Sequence, residues 1–163
     1  MTLPHALTAS AERLLAACAD AGVTLVTAES CTGGLIAASL TAIAGSSRVF
    51  ERGFVTYSNA AKTDLLGVPA DLIATHGVVS EAVACAMAEG ALAACPAILA
   101  VSVTGIAGPD GGTPVKPVGL VHMAAARHGK ATLHSRHVFS GDRTQVREAA
   151  VVEALALALR LVD

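Results

Sequence analysis

The turn between the first predicted strand and the helix after it reads Thr27-Ala28-Glu29-Ser30-Cys31-Thr32-Gly33-Gly34. An apolar, β-prone run, residues 23–26, precedes this turn, and a helix-prone run, residues 35–40, follows it. Two adjacent glycines let the backbone approach a ligand closely, and the start of a helix adds unpaired N–H groups with partial positive charge. The turn therefore suits an anionic group or a developing oxyanion. The competing interpretation is that Ser30 or Thr32 merely caps the helix.

The rest of the chain alternates between predicted helices and strands. We predict helices over residues 4–21, 35–40, 59–67, 80–95 and 144–162, and strands over residues 23–26, 53–57 and 98–104. Two more strands flank His128-Gly129, and the short link between them predicts an antiparallel hairpin. The apolar run 98–104 is typical of a central strand covered on both faces. The pattern predicts an α/β protein with helices on both faces of a mixed, mostly parallel sheet of about five strands.

Length and composition limit the classes of protein. The chain has 163 residues, a formal charge of -2, 53% hydrophobic residues and 2% aromatic residues. These values predict one domain, residues 1–163, with an aliphatic, alanine-rich core. The charge and the lack of a basic run argue against binding to nucleic acid. Because no apolar run reaches membrane-spanning length without Gly, Pro or charge, and the start lacks a secretion signal, we expect a cytoplasmic protein without a membrane partner.

The cysteines and histidines form no metal-binding pattern. No C-x-x-C pair occurs among the four cysteines, which are Cys18, Cys31, Cys85 and Cys95. The six histidines are scattered, and His134 and His137 face opposite sides of a probable strand because they are three residues apart. We therefore predict no metal site.

A cluster from Thr56 to Lys62 lies where a predicted strand passes into a helix. It contains Tyr57, the only tyrosine of the chain, and Lys62. A phenol and an amine at this place can assist a nucleophile that comes from another strand end. The alternative is that Lys62 is an ordinary solvated helix lysine.

Two further clusters lie at the ends of predicted elements. The Gly- and Pro-rich segment from Thr104 to Gly119 follows the central strand, and its glycines and Lys116 suit a phosphate or another polar ligand. Ahead of the last helix, Arg143 or Arg147 can pair with a phosphate, unless this segment is only an Asp cap with a surface arginine. Since ligands of open α/β sheets bind at the carboxyl ends of strands, all these clusters are expected near one site.

Taken in order along the chain, these motifs resemble those of the C-terminal domain of the competence/damage-inducible CinA proteins. The resemblance covers nearly the whole chain. Its motifs are residues 28–34, Gly45-Ser46-Ser47, Tyr57-Ser58-Asn59 with Lys62, residues 66–68, 79–81, 87–90, 104–109 and 111–113, and Lys116-Pro117-Val118-Gly119. One departure is Ala44, where the family often has proline. CinA proteins usually carry a further large N-terminal domain, so this chain resembles the stand-alone form.

The resemblance implies a fold, an activity and the residues that carry it. The family fold is a three-layer α/β/α sandwich around a mixed sheet. Its members are nicotinamide-nucleotide amidohydrolases, which convert nicotinamide mononucleotide and water to nicotinate mononucleotide and ammonia. The motifs imply that Ser30 is the nucleophile, that Lys62 is its base and that Tyr57 is the family tyrosine. We expect no cofactor, a small-molecule nucleotide as substrate, and a homo-oligomer, with a dimer as the first expectation.

The implied roles are chemically consistent if the lysine is neutral near pH 7. Burial or a nearby cation must then lower its pKa from about 10.4 to roughly 7–8. Ser30 would attack the carboxamide carbon and release ammonia, with Lys62 or Tyr57 passing the proton, and water would hydrolyse the acyl-enzyme. Backbone N–H groups of the turn, or of Thr104 and Gly105, would hold the oxyanion. The residues predicted to contact the substrate are Cys31, Thr32, Gly33, Gly34, Thr104, Gly105, Lys116 and Arg143.

Two other functions stay open at the level of the sequence. Cys31 is a rival nucleophile, because thiols are intrinsically reactive and a helix N-terminus lowers their pKa. The second rival is a non-catalytic nucleotide-binding module. Such a module needs the glycine loops but not Ser30, Lys62 and Tyr57 together, so their joint presence favours the enzyme. The role of Glu29 is also open: its carboxylate either pairs with Lys62 or lies at the surface near the helix start.

Overall fold

The computed structural model describes residues 2–163. Five strands form one sheet: β1 (Leu25–Glu29), β2 (Phe50–Val55), β3 (Leu99–Gly105), β4 (Leu120–Arg127) and β5 (Leu133–Val138). Their order across the sheet is β2-β1-β3-β4-β5. Strand β1 pairs in parallel with β2 and β3, whereas β4 is antiparallel to both β3 and β5. Four of the five strands thus run in one direction, and the predicted mixed, mostly parallel sheet with its C-terminal hairpin is confirmed.

Within residues 2–163, six α-helices cover the two faces of this sheet. They are α1 (His5–Ala21), α2 (Leu35–Thr41), α3 (Asn59–Leu66), α4 (Ala70–His76), α5 (Glu81–Ala93) and α6 (Arg143–Leu159), with a single 3-10 turn at Ser46–Arg48. Helices α1, α2 and α6 lie on one face, and α3, α4 and α5 lie on the other. The α/β protein is therefore a three-layer α/β/α sandwich, as expected.

Strand β3 shows how alternation builds two cores from one sheet. Successive side chains of a strand point to opposite faces. Val101 and Val103 pack in the core beneath α1 and α6, whereas Ala100 packs in the core beneath α5. Ser102 also faces α5 and satisfies its buried hydroxyl by donating to the Ala84 carbonyl oxygen at 2.6 Å. Both faces of the central strand are thus buried, as its apolar run predicted.

Several element boundaries differ from those expected, and one helix was not predicted. Strand β1 begins two residues later than predicted and continues to Glu29, because the polar groups of Thr27 and Glu29 are buried within the fold rather than exposed in a turn. Strand β2 lies three residues earlier than predicted at its start. Helix α4 was not predicted, because Gly67 and Pro69 indicated only an end, whereas Pro69 also serves as the N-cap of the next helix.

The position of β1 determines where a ligand can bind. It lies between β2 and β3, and the three strands are parallel. The segments that follow them therefore meet at one end of the sheet, the end that holds the carboxyl termini of these strands. Ser30 follows β1, Tyr57 comes shortly after β2, and Gly105 ends β3. This end of the sheet is a topological switch point, where open α/β sheets bind their ligands. Within residues 2–163, none of the helices has the length and apolar character needed to cross a membrane.

Candidate active site

Lys62 and Ser30 contact each other at the carboxyl ends of the parallel strands. The Lys62 Nζ lies 3.0 Å from the Ser30 Oγ and donates a hydrogen bond of 2.7 Å to the Thr56 carbonyl oxygen. The Lys62 side chain has 0% exposure, and this burial lowers its pKa. The interpretation of Lys62 as a solvated surface lysine is therefore wrong. An amine that is more readily neutral, in contact with a hydroxyl, is the arrangement that general-base activation requires.

Helix α3 directs Lys62 into the fold. Its N-cap residue is Ser58, whose Oγ accepts a hydrogen bond of 3.0 Å from the Ala61 N–H. The helix ends at Leu66, and its C-cap residue, Gly67, adopts a left-handed conformation (φ 65°). With both ends fixed, Lys62 and Leu66 share the buried face of the helix. This short helix, capped at both ends, thus places the Lys62 amine next to Ser30.

The carboxylate of Glu29 caps helix α2 from inside the protein. Its Oε2 accepts hydrogen bonds from the Thr32 hydroxyl (2.7 Å) and from the N–H groups of Gly34 (3.1 Å) and Ile36 (3.0 Å). Its Oε1 accepts from the Ala37 N–H at 2.9 Å. The side chain is completely buried. It therefore replaces the side-chain cap that the N-cap residue, Gly34, cannot provide.

This arrangement corrects two expectations about the turn. Neither Ser30 nor Thr32 is the N-cap of α2, so the simple capping interpretation is wrong. Glu29 does not lie at the surface, and its hydrogen bonds go to the start of α2 rather than to Lys62. A hydroxyl at position 30 is left free for the Lys62 amine.

Some backbone N–H groups of the turn donate hydrogen bonds within the protein, and others have no acceptor in the part of the chain that the structure describes. The Gly33 N–H donates to the Ser30 carbonyl oxygen at 3.0 Å, and the Gly34 N–H is bound to Glu29. Among residues 2–163, the Cys31 N–H has no hydrogen-bond acceptor. A trans peptide directs its N–H opposite to its C=O, so the Cys31 N–H points away from the Ser30 carbonyl and out of the turn. The Thr32 N–H likewise has no acceptor among residues 2–163, so the unbound donors of the turn come from Cys31 and Thr32 rather than from the glycines, and the Cys31 N–H is the one next to the serine.

The thiol of Cys31 is poorly suited to attack a substrate. Only 6% of the residue is exposed. Burial raises the pKa of the Cys31 thiol to about 12. Because the thiolate is the reactive form, this thiol is essentially unreactive near neutral pH. The structure therefore favours Ser30 over Cys31.

Ser30 and Lys62 open into a cleft of about 300 Å³, termed the Ser30 cleft. This volume lies at the lower end of the range for small-molecule sites. Its lining includes seven residues that the sequence singled out: Ser30, Cys31, Tyr57, Lys62, Thr104, Gly105 and Arg143. It also includes residues that sequence reasoning missed, among them Asn59, Val78, Val79, Ile106 and Asp110. Ile106 and Asp110 lie in the Gly- and Pro-rich segment that pointed to a ligand, and Asn59 lies in the cluster from Thr56 to Lys62, but none of them was named as a contact.

Arg143 connects three segments at the mouth of the Ser30 cleft. Its Nη2 donates to the Tyr57 hydroxyl at 2.9 Å, and its Nη1 donates to the Gly108 carbonyl oxygen at 2.8 Å. Asp142 is the N-cap of α6 and forms a capping box with Gln145. The Asp-cap interpretation is thus confirmed, but the arginine beside it lines the cleft.

Four predicted substrate contacts lie outside this lining. Thr32, Gly33 and Gly34 form the part of the turn around Glu29, and Thr32 is fully buried. Lys116 donates from Nζ to the His76 carbonyl oxygen at 2.9 Å, at the end of α4. The structure does not bring these residues to the cleft, and their contact with a substrate stays a prediction.

Arg147 also differs from its expected role as a phosphate ligand. Its Nε donates to the Cys31 carbonyl oxygen at 3.2 Å, and its Nη2 donates to the Thr32 carbonyl oxygen at 2.8 Å. Two of its hydrogen-bond donors are thus bound to the backbone of residues 30–34, which connect β1 to α2 and are termed the Ser30 turn. Sequence reasoning missed this contact because 115 residues separate Arg147 from Thr32.

Two histidines that looked unrelated in the sequence lie together on the sheet. The His122 Nδ1 and the His134 Nε2 are 2.8 Å apart, because the antiparallel pairing of β4 with β5 makes these positions diagonal neighbours. Burial, followed by the proximity of His134, lowers the pKa of His122 to about 4. No three His, Cys, Asp or Glu side chains within residues 2–163 are grouped so that they can hold a metal ion.

The order of motifs, the fold and the Ser30 cleft define a protein family. The CinA C-terminal domain model matches residues 7–162, and the chain belongs to this family. A CinA-like protein of Citrifermentans bemidjiense is 56% identical over 144 residues, which are 88% of this chain and 34% of that protein. The nicotinamide-nucleotide amidohydrolase PncC of Escherichia coli K12 is 55% identical over 134 residues, which are 82% of this chain and 81% of that protein.

The fold has a close counterpart among solved structures. The competence/damage-inducible protein CihA of Agrobacterium tumefaciens superposes with a TM-score of 0.97 at 47% identity, with 100% of both chains covered. The chain spans only 33% to 38% of the length of three longer relatives that it matches. It therefore corresponds to about a third of those proteins.

Proposed function

We propose that this chain is a nicotinamide-nucleotide amidohydrolase, which converts nicotinamide mononucleotide and water to nicotinate mononucleotide and ammonia. The observation that carries this proposal is the 3.0 Å contact between the Lys62 Nζ and the Ser30 Oγ inside a small-molecule cleft. The Escherichia coli relative named for this activity supports the choice of substrate, because the match spans 81% of that protein. The complete burial of Lys62, which lowers the pKa of its amine, supports the role of Lys62 as a base.

In the first half of the reaction, Ser30 Oγ attacks the carboxamide carbon of the substrate. Neutral Lys62 accepts the hydroxyl proton, and the carbonyl oxygen becomes an oxyanion. When the tetrahedral intermediate breaks, the C–N bond is cleaved and Lys62 passes its proton to the leaving nitrogen, which departs as ammonia. The result is an ester between the acyl group and Ser30. Tyr57, whose hydroxyl accepts a hydrogen bond from Arg143, is a second group able to pass this proton.

In the second half, water hydrolyses the acyl-enzyme. Lys62 takes a proton from the attacking water and returns it to the Ser30 Oγ as the ester bond breaks. The acid product leaves with one water oxygen, and the serine and the lysine are restored. This Ser-Lys scheme needs no redox partner, because no atom changes its oxidation state.

The groups around Ser30 also provide for the charges of the intermediate and the substrate. The unbound Cys31 N–H beside the nucleophile is our candidate for an oxyanion donor, and each such donor is worth roughly 3–4 kcal/mol in measured oxyanion holes. Arg143 contributes a guanidinium group to the lining of the Ser30 cleft. Two of its N–H groups donate to Gly108 and Tyr57, and the remaining N–H groups are available to a ligand. We assign the substrate phosphate to Arg143 for this reason.

The deciding experiment measures ammonia release from nicotinamide mononucleotide by the purified protein, with a chelator present and no metal added. We expect wild type to turn over and Ser30→Ala to lose at least about 1000-fold in kcat, as nucleophile deletions do in serine hydrolases. Ser10→Ala, on α1 and remote from the cleft, is the matched control and should keep wild-type activity. A wild-type protein that binds the nucleotide without releasing ammonia would instead support a non-catalytic binding module.

A further inference from the structure

The backbone of the Ser30 turn is bound by one charged side chain on each side. We infer that Glu29 and Arg147 are positioning residues that hold this turn, and with it the Ser30 hydroxyl, in the geometry for attack. The inference rests on the proposed role of Ser30 as nucleophile. Neither residue belongs to the lining of the Ser30 cleft, so both would act through the turn rather than on the substrate.

Glu29 fixes the turn to the start of helix α2. Its own backbone belongs to the sheet, since its carbonyl oxygen accepts from the Thr56 N–H at 2.8 Å. The next residue, Ser30, donates its N–H to the Val103 carbonyl oxygen at 3.0 Å. With the Glu29 carboxylate taking three N–H groups and one hydroxyl of residues 32–37, the serine lies between two anchored segments. A charge-assisted hydrogen bond to a buried carboxylate is stronger than a neutral one.

Arg147 fixes the other side of the same turn from helix α6. Its guanidinium reaches two consecutive carbonyl oxygens, those of Cys31 and Thr32, with a planar group that holds both at once. Within residues 2–163, Arg147 has no carboxylate partner. No salt bridge to these residues therefore holds the guanidinium in place, and its hydrogen bonds are those to the turn.

These contacts orient peptide groups next to the nucleophile. When Arg147 binds the Cys31 carbonyl, the Thr32 N–H of the same trans peptide must point the other way. Gly33 lies against the arginine too: a Cβ atom at this glycine would be 3.7 Å from the Arg147 Nη2. The path of the backbone from residue 30 to residue 33 is thus set by groups outside the cleft. Catalysis is sensitive to displacements of about 1 Å, so loosening this path should slow the chemical step.

The test compares Arg147→Ala and Arg147→Lys with wild type in ammonia release from nicotinamide mononucleotide. We expect Arg147→Ala to lower kcat by about 100-fold with KM nearly unchanged, because Arg147 lies outside the lining of the Ser30 cleft. Arg147→Lys should recover only part of the loss, since an ammonium cannot bind both carbonyls in one plane. Millimolar guanidinium ion should partly restore Arg147→Ala. Arg160→Ala, just beyond the last turn of α6, is the matched control and should behave as wild type.

Two results would overturn the inference. One is a folded Arg147→Ala variant with wild-type kcat. The other is a loss confined to KM, which would make Arg147 a substrate ligand after all. Glu29→Gln provides a second variant, because an amide can accept on only one of its two atoms. It should lower kcat and speed hydrogen exchange at the start of α2. If it does not fold, the Arg147 variants carry the test.

Failure of the proposed function would look different. Wild type would then release no ammonia, and the reactivity of Ser30 would be read from its phosphonylation by a fluorophosphonate, followed by mass spectrometry. Slower labelling of Arg147→Ala than of wild type supports the positioning role. Labelling at the wild-type rate contradicts it.

Discussion

A lysine amine without exposed surface loses the hydration that stabilises its charge. Lys62 is buried in this way, and only two hydrogen bonds, to one carbonyl oxygen and one hydroxyl oxygen, replace the lost hydration of its amine. Neither partner carries a formal charge, so desolvation prevails and lowers the pKa of Lys62. The charged form is therefore disfavoured in the folded protein relative to the unfolded chain, where the pKa is about 10.4.

This shift predicts how activity depends on pH. The base must be neutral, so kcat/KM for ammonia release should rise with pH and level off clearly below pH 10.4. The unfolding free energy should also rise with pH between the lowered folded pKa and about 10.4, because the unfolded chain binds the extra proton in that window. Both effects are measured by a pH series of initial rates and of urea unfolding. A rising limb centred at about 10.4 would contradict the prediction, and Lys62→Met should lack the stability effect.

Cys31 gives the second prediction at the level of single residues. Burial raises the pKa of the Cys31 thiol to about 12, so the thiol is protonated at neutral pH. Cys31→Ala should keep kcat within about threefold, because the N–H of the residue survives the substitution. Iodoacetamide should leave Cys31 of the native protein unmodified, as judged by peptide mass spectrometry. Complete loss of turnover in a folded Cys31→Ala variant would return the thiol to consideration as nucleophile.

Among the elements, the contact between α5 and α3 depends on one glycine. Gly90 lies within α5, where alanine is ordinarily the better helix former by about 1 kcal/mol. A Cβ atom at Gly90, however, would overlap the Leu66 carbonyl oxygen and lie 2.9 Å from its carbonyl carbon. The backbone of α3 cannot give way as a flexible side chain would, and α3 carries Lys62.

We therefore expect Gly90→Ala to destabilise the protein despite its helix propensity. The unfolding free energy should fall by about 1–3 kcal/mol, the range for overpacked cores, as measured by urea denaturation. Activity should fall as well, because α3 must move to accommodate the methyl group. The exposed Ala93→Gly substitution at the last residue of the same helix is the comparison, and its expected loss is below about 1 kcal/mol because the full glycine penalty applies to helix interiors. A more stable Gly90→Ala protein would show that the two helices can separate freely.

The elements also show what local sequence signals can and cannot predict. Helices α3 and α5 begin within one residue of their predicted starts, because Ser58 and Ser80 are their N-caps and serine is a favoured residue at that position. Helix α4 was missed because Gly67 and Pro69, two residues apart, serve to end one helix and begin the next. The cap of α2 was misassigned because its acceptor, Glu29, lies in the preceding strand and reaches donors up to eight residues away.

Across the whole molecule, the cleft is assembled from both helical layers. Lys62 comes from α3 on one face of the sheet, and Arg143 comes from α6 on the other. A substrate that contacts both will therefore stabilise the two layers together. The sequence predicted this assembly through the rule that strand ends converge, but it could not show that Lys116 and Arg147 turn to backbone carbonyls instead. Those contacts join segments 40 residues or more apart.

Ligand binding should accordingly raise the stability of the entire fold. Ser30→Ala retains the cleft without turnover, and nicotinamide mononucleotide at 100 times its Kd should raise the unfolding free energy by about 2.7 kcal/mol. Adding Arg143→Ala should weaken binding at least about tenfold, because a charged hydrogen-bond partner is lost, and should reduce the shift at the same ligand concentration. Thermal unfolding of both variants measures this. Equal shifts would show that the phosphate is held elsewhere.

The scarcity of aromatic residues has a practical consequence at the cleft. The chain contains no tryptophan, and its single tyrosine is Tyr57, which is 60% exposed and bonded through its hydroxyl to Arg143. All ultraviolet emission of the native polypeptide above the weak phenylalanine background therefore originates at this one phenol. The unlabelled protein thus carries a built-in optical reporter, and quenching by an approaching pyridinium ring would record occupancy of the site in real time.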